Sequence, residues 1–301
     1  MPLLVTGSIG IDTVRTPHGL SENCIGGSAI YFTMAASFFS RVRFVGVVGS
    51  DCPFNIPEVF TGKDVDLRGL EIRRTSKTFR WAGTYMETMD DRVTDHMELN
   101  VLAERPPVVP KAFADSKFVF LANTAPRLQI ELLSQIKSPI FVAADTMDCW
   151  IRDCSADLRE LMKQVDCLII NADEAKLLAR QLNLVRAAEQ ILTMGPATVI
   201  IKKGESGSLM CLKDGSKFVL PAYPATEVID PTGAGDSFAG GLMGYLAQAH
   251  KTDFDTLKTA VAYGTVVASF TIADFSLDSL KKIARQDIDN RLEMLRTFTS
   301  F

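Results

Sequence analysis

The chain has 301 residues, 47% hydrophobic and 23% charged, with a formal net charge of -4. These proportions describe an ordinary globular protein, and the lack of a basic run excludes nucleic acid as its main partner. Six scattered cysteines without a C-x-x-C pair, and only three histidines, argue against a zinc site or a disulfide framework and for reduced thiols in the cytoplasm.

Residues 1–7 lack a charged leader region and read as a first buried strand, Leu3-Leu4-Val5, ending in a tight loop that carries Asp12. Open α/β sheets bind ligands at such strand ends, so Asp12 is a candidate for gripping hydroxyl groups, or else a turn cap. Residues 14–24 have no helical period and lead to Gly26-Gly27, a plain turn or a hinge, before a helix over 27–39. That helix holds the most apolar segment, which is too short and too interrupted by hydroxyls to span a membrane. A buried strand follows at 42–48, and Gly49-Ser50-Asp51 reads as a helix cap. From about 70 to 101 the pattern changes. Phe79, Trp81 and Tyr85 alternate with Arg80 and Thr84, and Asp90-Asp91-Arg92 supplies a turn, which predicts a β-hairpin. Its aromatic face needs a cover: a ligand, another subunit's copy of the hairpin, or the chain's own core.

Pro106-Pro107 and Pro110 mark the return to the core, where strands at 117–122, 140–145 and 167–170 alternate with helices at 126–137 and 157–164. The order predicts an α/β fold: a central, mostly parallel sheet flanked by helices, forming one domain over 1–301. A small β-sheet lid, made of segments about 12–25 and 71–102, interrupts it. Asn171-Ala-Asp-Glu174 is a helix-capping pattern. Residues 199–209 read as a strand, a turn with Gly204 and Gly207, and a second strand; no G-x-x-x-x-G-K-[ST] occurs, which excludes a P-loop. A helix rich in small residues follows at 257–272.

The sharpest signal is Ile229-Asp-Pro-Thr-Gly-Ala-Gly-Asp-Ser-Phe-Ala-Gly-Gly241, a glycine-rich turn running into an apolar helix. Gly233 and Gly235 sit at the mouth of a helix N-terminus, where unpaired amides form a site for phosphate or another anion. A carboxylate there repels phosphate unless it has a task, and the economical task for Asp236 is to take a proton from an attacking hydroxyl. Chance matches to D-x-T-G-A-G-D arise about 10⁻⁷ times per position.

This stretch resembles the D-T-x-G-A-G-D signature of the ribokinase-like (PfkB) carbohydrate and nucleoside kinases, with Pro231 where Thr is commoner. The resemblance implies that Asp236 is the catalytic base, that Gly233, Ala234 and Gly235 form the anion hole, and that Asp230 and Thr232 shape the loop. It further implies that Asp12 holds the acceptor, that Gly26-Gly27 is a lid hinge, and that Asn171 and Glu174 form an N-x-x-E motif ordering water around nucleotide-bound Mg²⁺. Gly204 and Gly207 would lie by the ATP phosphates with Lys202, which replaces a usual Thr and is otherwise a solvated strand-end residue. Helix 257–272 would wall the adenine pocket. Tyr31 stands where many relatives have a substrate-binding Asn, so it is either a stacking face or a core residue.

The expected activity is ATP- and Mg²⁺-dependent transfer of a γ-phosphoryl group to a primary hydroxyl of a sugar, with a monovalent cation left open as a further requirement. A nucleoside kinase is the runner-up, because Tyr31, Trp81 and Tyr85 offer faces for a base. A catalytically idle sugar or nucleotide sensor is the third reading. A homodimer through the exposed aromatic lid is expected, with neither nucleic acid nor membrane as partner.

Overall fold

The computed structural model describes residues 1–89 and 92–300, so the expected turn at Asp90-Asp91 lies outside the described residues. In chain order the strands are β1 (Leu3–Thr6), β2 (Gly10–Thr16), β3 (Gly19–Gly26), β4 (Val42–Gly49), β5 (Val65–Arg73), β6 (Phe79–Tyr85) and β7 (Arg92–Glu98). They continue with β8 (Phe118–Leu121), β9 (Phe141–Ala144), β10 (Cys167–Asn171), β11 (Thr198–Lys202), β12 (Ser208–Leu212) and β13 (Lys217–Leu220).

One sheet has the order β13-β12-β11-β10-β9-β8-β1-β4-β5 and is parallel except at the β11-β12-β13 edge. Its central strands are continuous apolar runs, which bury both faces beneath helices. Leu3 and Val5 face one core with residues of helices Ser28–Ala36, Ala234–Ala249 and Phe254–Thr271; Leu4 faces the other with residues of Pro126–Leu133, Ser155–Met162 and Leu184–Leu192. The expected α/β architecture is therefore present. Strand order reverses beside β1, with β4 and β5 on one side and β8 to β11 on the other. Loops leaving β1 and β8 diverge at that switch point, and a crevice opens at the carboxyl ends of the strands.

A second, mixed sheet has the order β3-β2-β6-β7; β2 and β6 are parallel and the outer pairs antiparallel. Asp12 thus lies in strand β2, not in a loop as expected. Its strand partner Trp81 is far away in the chain, so no local pattern shows the pairing. Residues 71–73, expected in the lid, belong to β5 at the edge of the large sheet. The misreading has a physical cause: β5 carries Asp66 paired with Arg41 and Arg68, and Arg73 paired with Glu71 and Glu104, which obscure its alternation.

Asp51 caps no helix. Its Oδ1 accepts from the Thr78 amide (2.6 Å) and its Oδ2 pairs with Arg80 (3.3 Å), so it ties the root of β6 to the end of β4. The hairpin's aromatic face is closed rather than open: Trp81 and Tyr85 are 8% and 7% exposed and pack with Val14, Phe79, Met89 and Phe275. A homodimer through this sheet thus loses the open aromatic face expected to drive it. Among the described residues, no helix is long and apolar enough to cross a membrane.

Candidate active site

Gly233 ends the glycine-rich turn at φ 75°, and helix Ala234–Ala249 begins at the next residue. That backbone angle favours glycine, and a Cβ there would run into the Tyr31 ring packed against it. Gly235 is constrained from another direction, since a Cβ there would come within 2.5 Å of Lys202 Nζ. Phenol ring and ammonium thus press on the two glycines of one turn. The Ala234 amide donates to the Pro231 carbonyl (3.2 Å), whereas those of Gly233 and Gly235 make no backbone hydrogen bond among the described residues. Asp230 is buried and accepts from the Thr232 amide (2.8 Å), while the Thr232 hydroxyl donates to Tyr85 Oη (3.3 Å). The turn is therefore fixed from below and tied to the small sheet, and the amides of Gly233 and Gly235 are left for an anion.

Asp236 lies in the first turn of this helix and borders the crevice. Burial pushes its carboxyl up to about 6, with Lys202 and then Arg92 pulling the other way. A base with a pKa slightly below neutral is ionised at physiological pH and still basic enough to accept a proton from a hydroxyl. Asp145, at the carboxyl end of β9, is raised well above the usual range by burial and by the charge of Asp236; its Oδ1 has no hydrogen-bond partner.

The crevice encloses about 830 Å³, including its open mouth. Asp12 enters it from β2, 4% exposed, with Oδ1 unpartnered; burial and then the charges of Asp230 and Asp236 push it up to about 7. An unsatisfied buried carboxylate oxygen is costly alone and suited to an incoming hydroxyl donor. The Asp12 carboxylate fills the space that a side chain at Gly26 would need, and Gly27 starts the helix Ser28–Ala36, so the pair joins the small sheet to the core. Tyr31, 1% exposed, combines the two readings made for it: it borders the crevice and packs under the turn. Trp81 borders it as expected.

Sequence reasoning missed Asn123, Trp150 and Arg92. Trp150 Nε1 donates to Asn123 Oδ1 (2.9 Å), which fixes a second indole beside the crevice opposite Trp81's sheet. Trp150 sits on the short helix Asp148–Asp153, too brief for a periodic signal, while the position of Asn123 at a strand end could have flagged it.

Outside the residues that border the crevice, Asn171 and Glu174 form a reciprocal capping box at 2.8 Å in each direction. One Glu174 carboxylate oxygen, Oε2, is used in that box, so the other can meet a hydrated cation. No group of three or more potential metal-holding side chains occurs among the described residues. That donor set fits Mg²⁺ held mainly by phosphates and water, with Glu174 in contact through water. Lys202 pairs in register with Asn171, and its charge opposes the burial that raises Glu174. Gly204 and Gly207 adopt φ 55° and 80° in the turn between β11 and β12.

A fold with its crevice at a strand-order reversal, a helix end with unpaired amides and an adjacent carboxylate suits phosphoryl transfer. Residues 22–282 match the pfkB family carbohydrate kinases, and the chain belongs to this family. It is accordingly an ATP-dependent kinase of sugars or nucleosides. It is similar to a cytidine kinase of Thermococcus kodakarensis, 30% identical over 253 residues that cover 81% of this chain and 88% of the relative. The fold is shared with a nucleoside kinase of Burkholderia thailandensis solved with inosine (TM-score 0.79, 19% identity, 97% of this chain and 98% of the other). It is shared as well with a ribokinase of Cryptococcus neoformans solved with ADP (0.78, 21%, 96% and 99%).

Proposed function

We propose that the protein is a nucleoside kinase that transfers the γ-phosphoryl group of ATP to a primary hydroxyl of its acceptor, with Asp236 as the base. The observation that supports this most is the crevice itself, bordered by the carboxylates of Asp12 and Asp236 and by Trp81, Trp150, Phe79 and Met97. A free sugar needs carboxylate and amide partners; a nucleobase needs apolar, flat surface as well. The similarity to a cytidine kinase supports the same choice over a free sugar.

In this reading the small sheet is the lid. Asp12 accepts hydrogen bonds from ribose hydroxyls, and the Asn123-braced Trp150 flanks the base. Asp236 orients the primary hydroxyl and takes its proton as the new O–P bond forms. The amides of Gly233 and Gly235, with the positive end of their helix, stabilise charge on the transferred group. Lys202 meets the phosphates as a point charge beside Gly235, with Gly204 and Gly207 lining the donor's path. Mg²⁺, held through water by Glu174, would neutralise phosphate charge. Alignment and fixed charges supply most of the acceleration.

Incubation with ATP and Mg²⁺ and a panel of pyrimidine nucleosides, purine nucleosides and free sugars tests this, with products identified by phosphorus NMR. Nucleoside monophosphate should form with a higher kcat/KM than any sugar phosphate. Efficient phosphorylation of a free sugar, with nucleosides inert, would refute the acceptor assignment.

A further inference from the structure

The crevice contains a cation that neither the signature nor the capping motif accounts for. Arg92 opens β7 directly across from Tyr85, and the Tyr85 hydroxyl is bonded to Thr232 in the anion-binding turn. This pairing brings the tip end of the hairpin to the turn. The guanidinium lies 5.3 Å from the Trp81 ring centroid, and Arg92 borders the crevice together with Thr232, Gly233 and Asp236. Among the described residues that border it, Arg92 is the cationic one.

Its electrostatic reach locates it further. The charge of Arg92 favours the ionised forms of Asp12, Glu174 and Asp236, which come from β2, from helix Ala172–Ala179 and from the signature helix. Lys202 acts on Glu174, Asp236 and Asp145. The two cations therefore overlap at Asp236 and Glu174 and diverge beyond them, Lys202 toward the large sheet and Arg92 toward the acceptor carboxylate Asp12.

Resting on the phosphotransferase reading above, we propose that Arg92 is a catalytic residue carried by the lid, whose guanidinium bonds the phosphoryl group while it passes between nucleotide and acceptor. The acceptor oxygen forms a bond to phosphorus, and the bond from phosphorus to the oxygen bridging to the β-phosphate breaks. The hydroxyl proton goes to Asp236 and the electron pair leaves on the nucleoside diphosphate. Arg92 exchanges no proton. Arg92 comes from the small sheet and Lys202 from β11 of the large one, and both charges reach Asp236, so the negative charge spread over the three equatorial oxygens meets two cations, and a planar fork can hold two oxygens at once. Because Arg92 belongs to a strand of the small sheet, this charge is in place only when that sheet is seated on the core, which joins acceptor enclosure to chemistry.

The test is a steady-state comparison of the wild type with Arg92→Met, which keeps the apolar stem, and with Arg92→Ala in the presence of free guanidinium ion. We expect kcat to fall about 10²–10³-fold in Arg92→Met, with KM for ATP and acceptor within about threefold. Guanidinium should restore part of the rate to Arg92→Ala without changing its melting temperature. An unchanged kcat, or a rise in acceptor KM alone, would show that Arg92 holds the acceptor or nothing, and would overturn the proposal while leaving the kinase reading intact. A wild-type enzyme that phosphorylates no nucleoside or sugar would remove both.

Discussion

The two sheets solve the same problem with unequal means. The large sheet is buried on both faces, and the strands that carry Asn171 and Lys202 are fully buried until their last residue. The small sheet has a cluster of three buried side chains, Val14, Trp81 and Tyr85, and every residue of β7 from Arg92 to Met97 is exposed. Burial at roughly 25 cal/mol per Å² leaves the first rigid and the second weakly held. A few polar ties to the core, Asp51 to Thr78 and Arg80, and Tyr85 to Thr232, therefore add to the packing of Ile25 and Phe275 in fixing the small sheet's position. For the proposed reaction this means a division of labour: preorganised groups sit on the large sheet and its helices, and acceptor-dependent ordering would fall to the small one.

The largest effect should come from the preorganised side. Asp236→Asn is expected to lower kcat about 10²–10⁴-fold with nucleotide affinity nearly unchanged, measured by kinetics and calorimetry. A near-wild-type rate would break the assignment. The same substitution should stabilise the fold at pH 8 by up to about 3 kcal/mol. The sign follows from a carboxyl raised by burial to about 6: its ionised form is disfavoured in the folded state, so the gain exists above that pH and vanishes below about 4, where both states are protonated.

Next in size is the contrast between the two glycines of the turn. Gly233→Ala forces a side chain at φ 75° against the Tyr31 ring, and should cost about 2–4 kcal/mol in urea unfolding. Gly235→Ala meets only the movable end of Lys202 and gains helix propensity, so its stability should stay within about 1 kcal/mol of the wild type. Equal losses at both positions would show that the turn is not braced by the phenol ring.

The pH profile samples both sheets together. Between about 7 and 6, kcat/KM should fall roughly tenfold per pH unit as Asp12 takes up a proton, and below about 6 roughly a hundredfold per unit as Asp236 does so too. Asp12→Asn should move the start of that decline toward 6. An acid limb centred near 4 would show that neither carboxyl controls turnover. The smallest effect is at the small sheet's root: Asp51→Ala should raise the acceptor KM about 3–10-fold and leave the nucleotide KM unchanged. A matching change in both constants would mean that the two sheets move as one body.

The same inequality explains what the sequence made legible. β1, β4 and β8 to β11 are short apolar runs bounded by turns, and tertiary burial agrees with their local pattern. The Gly233 to Asp236 turn was legible for a different reason, since backbone geometry and chemistry both restrict its residues. Segment 12–25 was legible as part of a small sheet, but the bounds of β2 and β3 were not, because their burial alternates irregularly and the second partner of β2 is β6, from beyond residue 78. Asp51 looked like a cap because a short polar residue after Gly49 and Ser50 serves equally well as an acceptor for a distant amide. Arg92 was read as part of a turn, since the register that sets it opposite Tyr85 is a property of the folded hairpin.

The chain has two tryptophans, Trp81 and Trp150, and both border the crevice. One is hydrogen-bonded to Thr94 and the other to Asn123, so each indole belongs to a different wall. The protein's tryptophan emission therefore originates from the two sides of one cavity. Replacing either with phenylalanine turns the unlabelled molecule into a one-sided optical gauge, able to report in real time which wall a compound touches first.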